Sequence, residues 1–258
     1  MRAIADRLLR TLPGLAFLGL LLLGLEALVR TGIADKSFIP APSMVADRIG
    51  TLLLSGSVGP PLLKTTVMLF AGYGSGCAAA VAIGILMGYY RPVYLLLEPI
   101  TELLRPIPKP ALVPVLILLL GLGAGMKVTV VALAAFFPVL INTVQGVRAV
   151  DPVVIDMART FGHSDFAVLR RILLPASAPY ILAGMRISLG ISLVVVIIAE
   201  MISGTGGLGD LILDMQRSFL VTESYAWLVI VAVLGFGLNV LFRWVERRAT
   251  FWSAPELE

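Results

Sequence analysis

The sequence predicts an all-α polytopic membrane protein with six transmembrane helices and both termini in the cytoplasm. Three observations carry that reading. Apolar residues come in long charge-free runs: Thr65 to Tyr90 (26 residues), Pro110 to Met126 (17), Val128 to Val147 (20) and Ser224 to Phe242 (19). A helical crossing of the hydrocarbon layer needs about 20 residues, and strands would show alternation instead. Only 14% of the 258 residues are charged and 59% are hydrophobic, with a mean hydropathy of +0.98; a soluble domain carries about a quarter charged residues. On a six-span count, the basic clusters at residues 2–10, 148–171 and 243–248 all fall on one side, as the positive-inside rule requires. The net charge of +4 therefore reflects topology, and gives no reason to invoke nucleic acid.

The first span is read from Leu12 to Val29, held at its cytoplasmic start by Arg2, Arg7 and Arg10. No small-x-small cleavage site follows it cleanly, so it is expected to remain as an uncleaved span. Glu26 and Arg30 close it as an i,i+4 pair. Residues 31–63 form an external segment in which Ile39-Pro40-Ala41-Pro42-Ser43 makes a turn. Ser43 is expected to cap a short helix carrying Val45, Ile49, Leu52 and Leu53, lying along the interface. The second span, Thr65 to Tyr90, holds Gly72, Gly74, Gly76, Gly84 and Gly88; small residues let helices approach closely in lipid, and they are read here as a homodimer surface. Arg91-Pro92 ends it.

Residues 93–122 are irregular. One crossing is required, but Pro106, Pro108 and Pro110 fall within five residues and cannot continue a regular helix. The expectation is a broken span: a helix to about Leu104, an unwound corner, then Ala111 to Leu120. The alternative is a cytoplasmic amphipathic helix followed by a shorter span. Gly121 to Lys127 is read as an external turn, followed by span four from Val128 to Val147 with Pro138 and Asn142 inside it.

Residues 151–175, DPVVIDMARTFGHSDFAVLRRILLP, are built differently. Asp151-Pro152 opens a helix with a capping acid and a proline at the first turn. Ala158, Phe161, Val168 and Leu169 give one apolar side; Asp156, Arg159, Asp165, Arg170 and Arg171 keep the rest polar. Gly162 marks a turn, and Pro175 is expected to end the amphipathic stretch. Span five follows from about Ala178 to Met201, with Arg186 inside and Glu200 at its outer end. Residues 204–210 are too glycine-rich for a helix, Leu211 to Phe219 suit a short one, and span six runs from Ser224 to Phe242. The single Cys77 lies among small residues and forms no internal disulfide; His163 stands alone after the loop glycine. No metal-ligand spacing, no nucleophile-and-base arrangement and no phosphate-binding glycine loop is present in the sequence.

The 151–175 stretch resembles the signature loop of bacterial ABC-importer permeases: E-A-A, three residues, Gly, nine residues, I-x-L-P. Here it reads Asp156-Met157-Ala158, three residues, Gly162, nine residues, then Ile172-Leu173-Leu174-Pro175. Asp156 stands for the usual Glu and Met157 for the first Ala. The resemblance covers nearly the whole chain and is similar to the branch serving nitrate, aliphatic sulfonates, taurine and bicarbonate. Its further pieces include Arg105-Pro106-Ile107-Pro108, Phe136-Phe137-Pro138, Asn142-Thr143, Ala199-Glu200-Met201-Ile202 and Gly207-Leu208-Gly209.

That resemblance implies a type I importer permease in a bacterial inner membrane, with residues 1–258 acting as one permease domain: 1–63 an N-terminal span and external segment, 64–248 the importer core. It implies two copies of this chain, two ATP-binding ABC subunits and a periplasmic or lipid-anchored binding protein. This chain would bind no cofactor; ATP and Mg2+ would sit in the partner ATPase. Asp156, Met157, Ala158, Arg159, Gly162, Ile172, Leu174 and Pro175 would form the ATPase-coupling element. Candidate pathway residues are Arg105, Pro106, Pro108, Asn142, Arg186 and Glu200. A charge at the bilayer centre costs roughly 2.5–3.5 kcal/mol even on the lenient insertion scale, so Arg105 and Arg186 should face protein or water, where they would suit a small anion. Alternatively either arginine ties helix ends together, and Asn142 joins helices. Two other function classes remain: an ABC importer of a neutral pyrimidine- or riboflavin-like heterocycle, and an ion-coupled secondary transporter using Glu98 or Glu102.

Overall fold

The computed structural model describes residues 2–252, with side chains from Pro13 onward except Leu15. The basic side chains Arg2, Arg7 and Arg10 lie outside the described residues. Every regular element among the described residues is helical: α1 (Arg2–Arg30), α2 (Pro42–Leu54), α3 (Gly59–Tyr89), α4 (Arg91–Leu104), α5 (Val113–Leu120), α6 (Ala124–Arg148), α7 (Pro152–Thr160), α8 (Asp165–Val168), α9 (Leu174–Ser203), α10 (Leu208–Arg217) and α11 (Val221–Ala249). Among the described residues, four continuous helices are long and apolar enough to cross a membrane, Gly59–Tyr89, Ala124–Arg148, Asp165–Ser203 and Val221–Ala249, and the bent pair Arg91–Leu104 and Lys109–Leu120 supplies a fifth if it counts as one span. The described residues divide into two compact units, 2–60 with 211–232, and 61–210 with 233–252.

In the first unit Glu26 is the polar anchor. Its carboxylate accepts from Arg30 Nε at 2.6 Å, from the Ser43 hydroxyl at 2.6 Å and from the Ser43 backbone N–H at 3.0 Å. The i,i+4 pair is thus present, but Ser43 does not cap α2. Ala41 is the N-cap residue and Pro42 occupies the first turn, where the missing proline N–H is no loss; the Ser43 hydroxyl is spent on Glu26. Val45 and Leu52 are buried and Ile49 half-buried, whereas Leu53 is exposed. The period of 3.6 places 45, 49 and 52 on one face and leaves 53 off it.

The second unit is built on α3, α6 and α9. Leu69, Tyr73, Cys77, Ala80, Val130, Val131, Ala134, Leu189 and Val196 are among the buried residues of its core. Glycine sets the distance between α3 and α6. A Cβ added at Gly76 would lie 2.4 Å from the Ala132 carbonyl oxygen, and at Gly72, Gly84 and Gly88 it would lie 2.6–2.7 Å from Val131, Thr143 and Val147. Only hydrogen fits at such a separation. Gly74, by contrast, faces open space. Four of the five glycines of the second span, Gly72, Gly76, Gly84 and Gly88, are therefore consumed inside the chain, which corrects the expectation that they mark a surface for a second copy.

The break in residues 93–122 falls where the prolines place it. α4 ends at Leu104, Lys109–Leu112 forms one 3-10 turn, α5 begins at Val113, and the two arms are bent by 85°. Pro106, Pro108 and Pro110 have no N–H to return to the carbonyls at the end of α4. Lys109 supplies the missing donors: its Nζ donates to the carbonyls of Leu104 (2.9 Å), Arg105 (3.3 Å) and Ile107 (2.9 Å). The same ammonium lies 4.2 Å from the Phe137 ring centroid, a cation–π contact.

The glycine face yields a paired test. Gly76→Ala should destabilise the protein by about 1–3 kcal/mol through overpacking, and Gly74→Ala should be neutral within about 0.5 kcal/mol. Thermal unfolding of the detergent-solubilised chain reads both.

Candidate functional site

The 151–175 loop is shaped by local chemistry. The Asp151 carboxylate accepts from the Val153 N–H at 2.9 Å, and Pro152 takes the first helical position of α7. α7 ends in a paired C-terminal motif: the N–H of His163 bonds the Ala158 carbonyl at 3.1 Å and that of Gly162 bonds the Arg159 carbonyl at 2.9 Å. That closure requires a left-handed residue at 162, and Gly162 has φ +79°. Ser164 then caps α8, accepting from the Ala167 N–H at 3.3 Å.

Pro175 does not end the stretch as expected. Leu169–Leu173 forms a π-helical turn and α9 continues from Leu174 to Ser203. A proline ring collides with the carbonyl four residues earlier in a regular helix; the wider turn just before Pro175 makes room for it. The helix from Asp165 to Ser203 has 39 residues, about 58 Å at 1.5 Å per residue, against a hydrocarbon layer of about 30 Å. Part of it therefore extends beyond that layer.

The loop carries its own apolar core. Ala158, Val168 and Leu173 are buried together with Ile85 of α3 and Val147 of α6, and Ile155, Ile172 and Leu174 pack against them. The opposite side is open, with Phe161 77% and Phe166 70% exposed beside Val153 and Met157. The motif residues thus divide by role. Ala158, Ile172 and Leu174 hold the loop to the spans; Asp156, Met157 and Arg159 face outward.

Nothing along the chain singles out Tyr89, the last residue of α3. Its hydroxyl donates to Asp165 Oδ1 at 2.6 Å and accepts from Arg159 Nη2 at 2.8 Å. Arg159 also lies 3.3 Å from Asp165 and 3.8 Å from Asp156. The Tyr89 hydroxyl, and then the Arg159 guanidinium, hold the Asp165 carboxyl below the usual carboxylate range.

The six pathway candidates do not converge. Arg105 lines a groove of about 520 Å3 with Tyr94, Glu98, Glu102, Gln145 and Arg148. It pairs with Glu102 at 3.6 Å, while Arg148 lies over the Tyr94 ring at 3.5 Å. Pro106 and Pro108 are exposed at the corner of the broken span. Asn142 donates to the Pro138 carbonyl of its own helix at 2.8 Å, and its Cβ fills the space above Gly184 of α9. Arg186 pairs with Glu246 at 3.2 Å and lines a separate groove of about 340 Å3 with Gly190, Gly235 and Asn239; it ties α9 to the end of α11.

Glu200 is fully buried. The Thr65 hydroxyl lies 3.0 and 2.9 Å from its two oxygens and accepts from the Leu208 N–H at 2.9 Å; the Gly209 N–H donates to Oε2 at 3.0 Å. Gly207, at φ +118°, and Gly209 leave no room for a Cβ, which would stand 2.2 Å from the Glu200 carboxyl and from the Ile197 carbonyl oxygen. Lys127, expected in an external turn, is buried within α6 and donates to the Gly206 carbonyl at 3.1 Å; Lys64 donates to that of Thr205. These bonds let α10 start at Leu208, three residues earlier than the glycine content suggests. Glu200 thus shapes the 204–210 loop from within the fold.

The chain belongs to the family described as binding-protein-dependent transport system inner membrane component, whose model matches residues 80–251. It is similar to the aliphatic sulfonates transport permease protein of Bacillus subtilis (32% identical over 221 residues, 86% of this chain and 80% of that one). It is also similar to the taurine transport system permease protein of Escherichia coli (31% over 221 residues, 83% and 80%). Among solved structures, a methionine ABC transporter in inward-facing conformations superposes with a TM-score of 0.61 at 19% identity, covering 74% of this chain and 94% of that one. The fold is that of a type I importer permease. The chain is the transmembrane permease subunit of an ABC importer, a transport subunit in which ATP hydrolysis falls to a separate partner.

The Glu200 knot gives a test. Thr65→Val removes a donor to a buried carboxylate and an acceptor for the Leu208 N–H, and should lower stability by about 1–3 kcal/mol. Thr65→Ser should recover most of that loss in the same thermal unfolding assay.

Proposed function

We propose that two copies of this chain enclose an alternating-access pathway for a small anion, of the sulfonate, taurine or nitrate kind, and that residues 151–175 dock each copy on an ATPase. The observation that carries the docking role is the loop's two-sided construction. A small apolar core fixes it from behind, while Phe161, Phe166, Val153 and Met157 stay exposed on a segment outside the bilayer. An apolar face in water needs a partner, and Asp156 and Arg159 set charges beside it. Six spans, with α1 as the sixth, both ends in the cytoplasm of a bacterial inner membrane, and residues 1–258 working as one permease domain complete the proposal. ATP and Mg2+ belong to the partner ATPase, and a periplasmic or lipid-anchored binding protein delivers the substrate.

An anion is favoured over a neutral heterocycle by the two sulfonate-class relatives; the groove beside Arg105 sets Glu98 and Glu102 against Arg105 and Arg148, so its charge does not decide between them. The broken backbone at Pro106 and Pro108 borders that groove region, as unwound backbone at membrane depth is tolerated beside a cavity. Arg186, Asn142 and Glu200 serve the scaffold.

Gly162→Val tests the docking role. Nothing in the chain lies within 4 Å of an added Cβ there, but φ is +79°. A β-branched residue held in that conformation costs about 1–3 kcal/mol and projects toward the partner. The variant should insert in the membrane and fold but lose co-purifying ATPase, or lose receptor-stimulated hydrolysis and sulfonate uptake in vesicles. Wild-type retention together with wild-type stimulation and uptake would contradict the docking role.

A further inference from the structure

The loop's motion must reach two sets of helices by different routes. α9 follows the loop without a chain break, because α8, the π-helical turn and α9 run on continuously. α3 has no such covalent link. Its end, at Tyr89, is also the point from which α4 departs: Tyr90 turns the chain with φ −101° and ψ 108° before Arg91 opens the next helix. α4 in turn carries Glu98, Glu102 and Arg105 along the groove of about 520 Å3. A device that ties the loop to Tyr89 therefore ties it to the hinge of the broken span.

The Tyr89 hydroxyl is placed for that. It sits between α7 and α8, accepting from Arg159 of one and donating to Asp165 of the other. Arg159 and Asp165 also meet each other directly. One phenol thus fastens both arms of the loop to α3. The other contacts with α3 are less directional: Ile85 is buried in the loop's core, with Val81 and the Tyr89 ring packed against it, and the Arg159 guanidinium lies 5.8 Å from the Tyr89 ring centroid. Apolar packing resists separation but tolerates sliding and rolling; charge-assisted hydrogen bonds fix direction. The ring itself is braced edge-on by Tyr90, with centroids 4.8 Å apart. Removing the hydroxyl should therefore leave the packing in place and release only the directional tie.

We infer that Tyr89 is a positioning residue for transport, the polar link that makes the α3–α4 hinge follow the coupling loop. The inference rests on the docking role of residues 151–175. The test uses the whole complex, this chain with its ATPase and binding protein in lipid vesicles. Sulfonate uptake, ATP hydrolysis and the amount of retained ATPase are measured together. Tyr89→Phe should retain the ATPase at the wild-type level and unfold at the wild-type temperature, while transport per ATP hydrolysed falls about threefold to tenfold, the net scale of one ordinary hydrogen bond, as suits a tie exposed to water. Asp165→Ala should give the same loss, and the double variant no more than either single one, as expected of groups acting through one contact. Asp165→Asn, which keeps an acceptor for the phenol, should restore most of the ratio.

A wild-type ratio in Tyr89→Phe would overturn the inference. So would a loss of transport that only tracks lost ATPase, since that assigns the phenol to the docking surface. Additive losses in the double variant would overturn the link between the two residues. Failure of the wild-type chain to retain an ATPase would instead overturn the docking role beneath it.

Discussion

The close approach of α3 to α6 is the constraint on which the rest of the larger unit depends. It is set by hydrogen atoms where other residues carry side chains, at Gly72, Gly76, Gly84 and Gly88. Because those glycines lie on one face of a single long helix, the two helices stay close along their shared length. Their common end brings Ile85 and Val147 together. That pair forms the shelf on which Ala158, Val168 and Leu173 settle. The small side chain at 158 follows from the same geometry, since the loop must lie flat against two helices already in contact. The loop's outward face is therefore a consequence of how α3 and α6 meet.

A second constraint is that polar groups in an apolar setting must find partners inside the chain. Each irregularity of the fold has one. The proline corner exposes carbonyls, and Lys109 collects three of them. The glycine-rich segment 204–210 has few side chains of its own, and Glu200, Thr65, Lys64 and Lys127 hold its backbone from below. The two lysines and the carboxylate sit where composition alone suggests solvent or substrate, yet their work is to satisfy backbone. Arg186 and Glu246 follow the same logic as a pair between helices. The groove beside Arg105, by contrast, has Glu98, Glu102, Arg105 and Arg148 lining open space together.

What the sequence made legible was whatever depends on neighbours along the chain. The apolar runs located α3, α6, α9 and α11. The proline cluster located the break, because a missing N–H acts within four residues. Asp151, Pro152 and Gly162 announced the start and end of α7, since capping is local. Contacts far apart in sequence were hidden. The spacing of Gly72, Gly76, Gly84 and Gly88 showed a face suited to close approach, but nothing along the chain said that the partner was α6. Tyr89 looked like one more residue at the end of a span, and its partners lie 70 and 76 positions away. Ser43 was misread as a cap because Glu26, 17 residues earlier, competes for its hydroxyl. Pro175 was misread as a stop because a wide turn before a proline leaves no mark in composition.

The central claim is that the outward face of residues 151–175 meets the ATPase. A photo-reactive benzoyl-phenylalanine in place of Phe161 tests it most directly, in membranes that carry the assembled, transport-active complex. The account predicts a cross-linked product with the combined mass of this chain and the ATPase subunit, and no such product from the same probe at Leu118, which is 87% exposed on α5 and lies outside the loop's apolar core. An active complex that gives the product from Leu118, or gives none from Phe161, would contradict the claim.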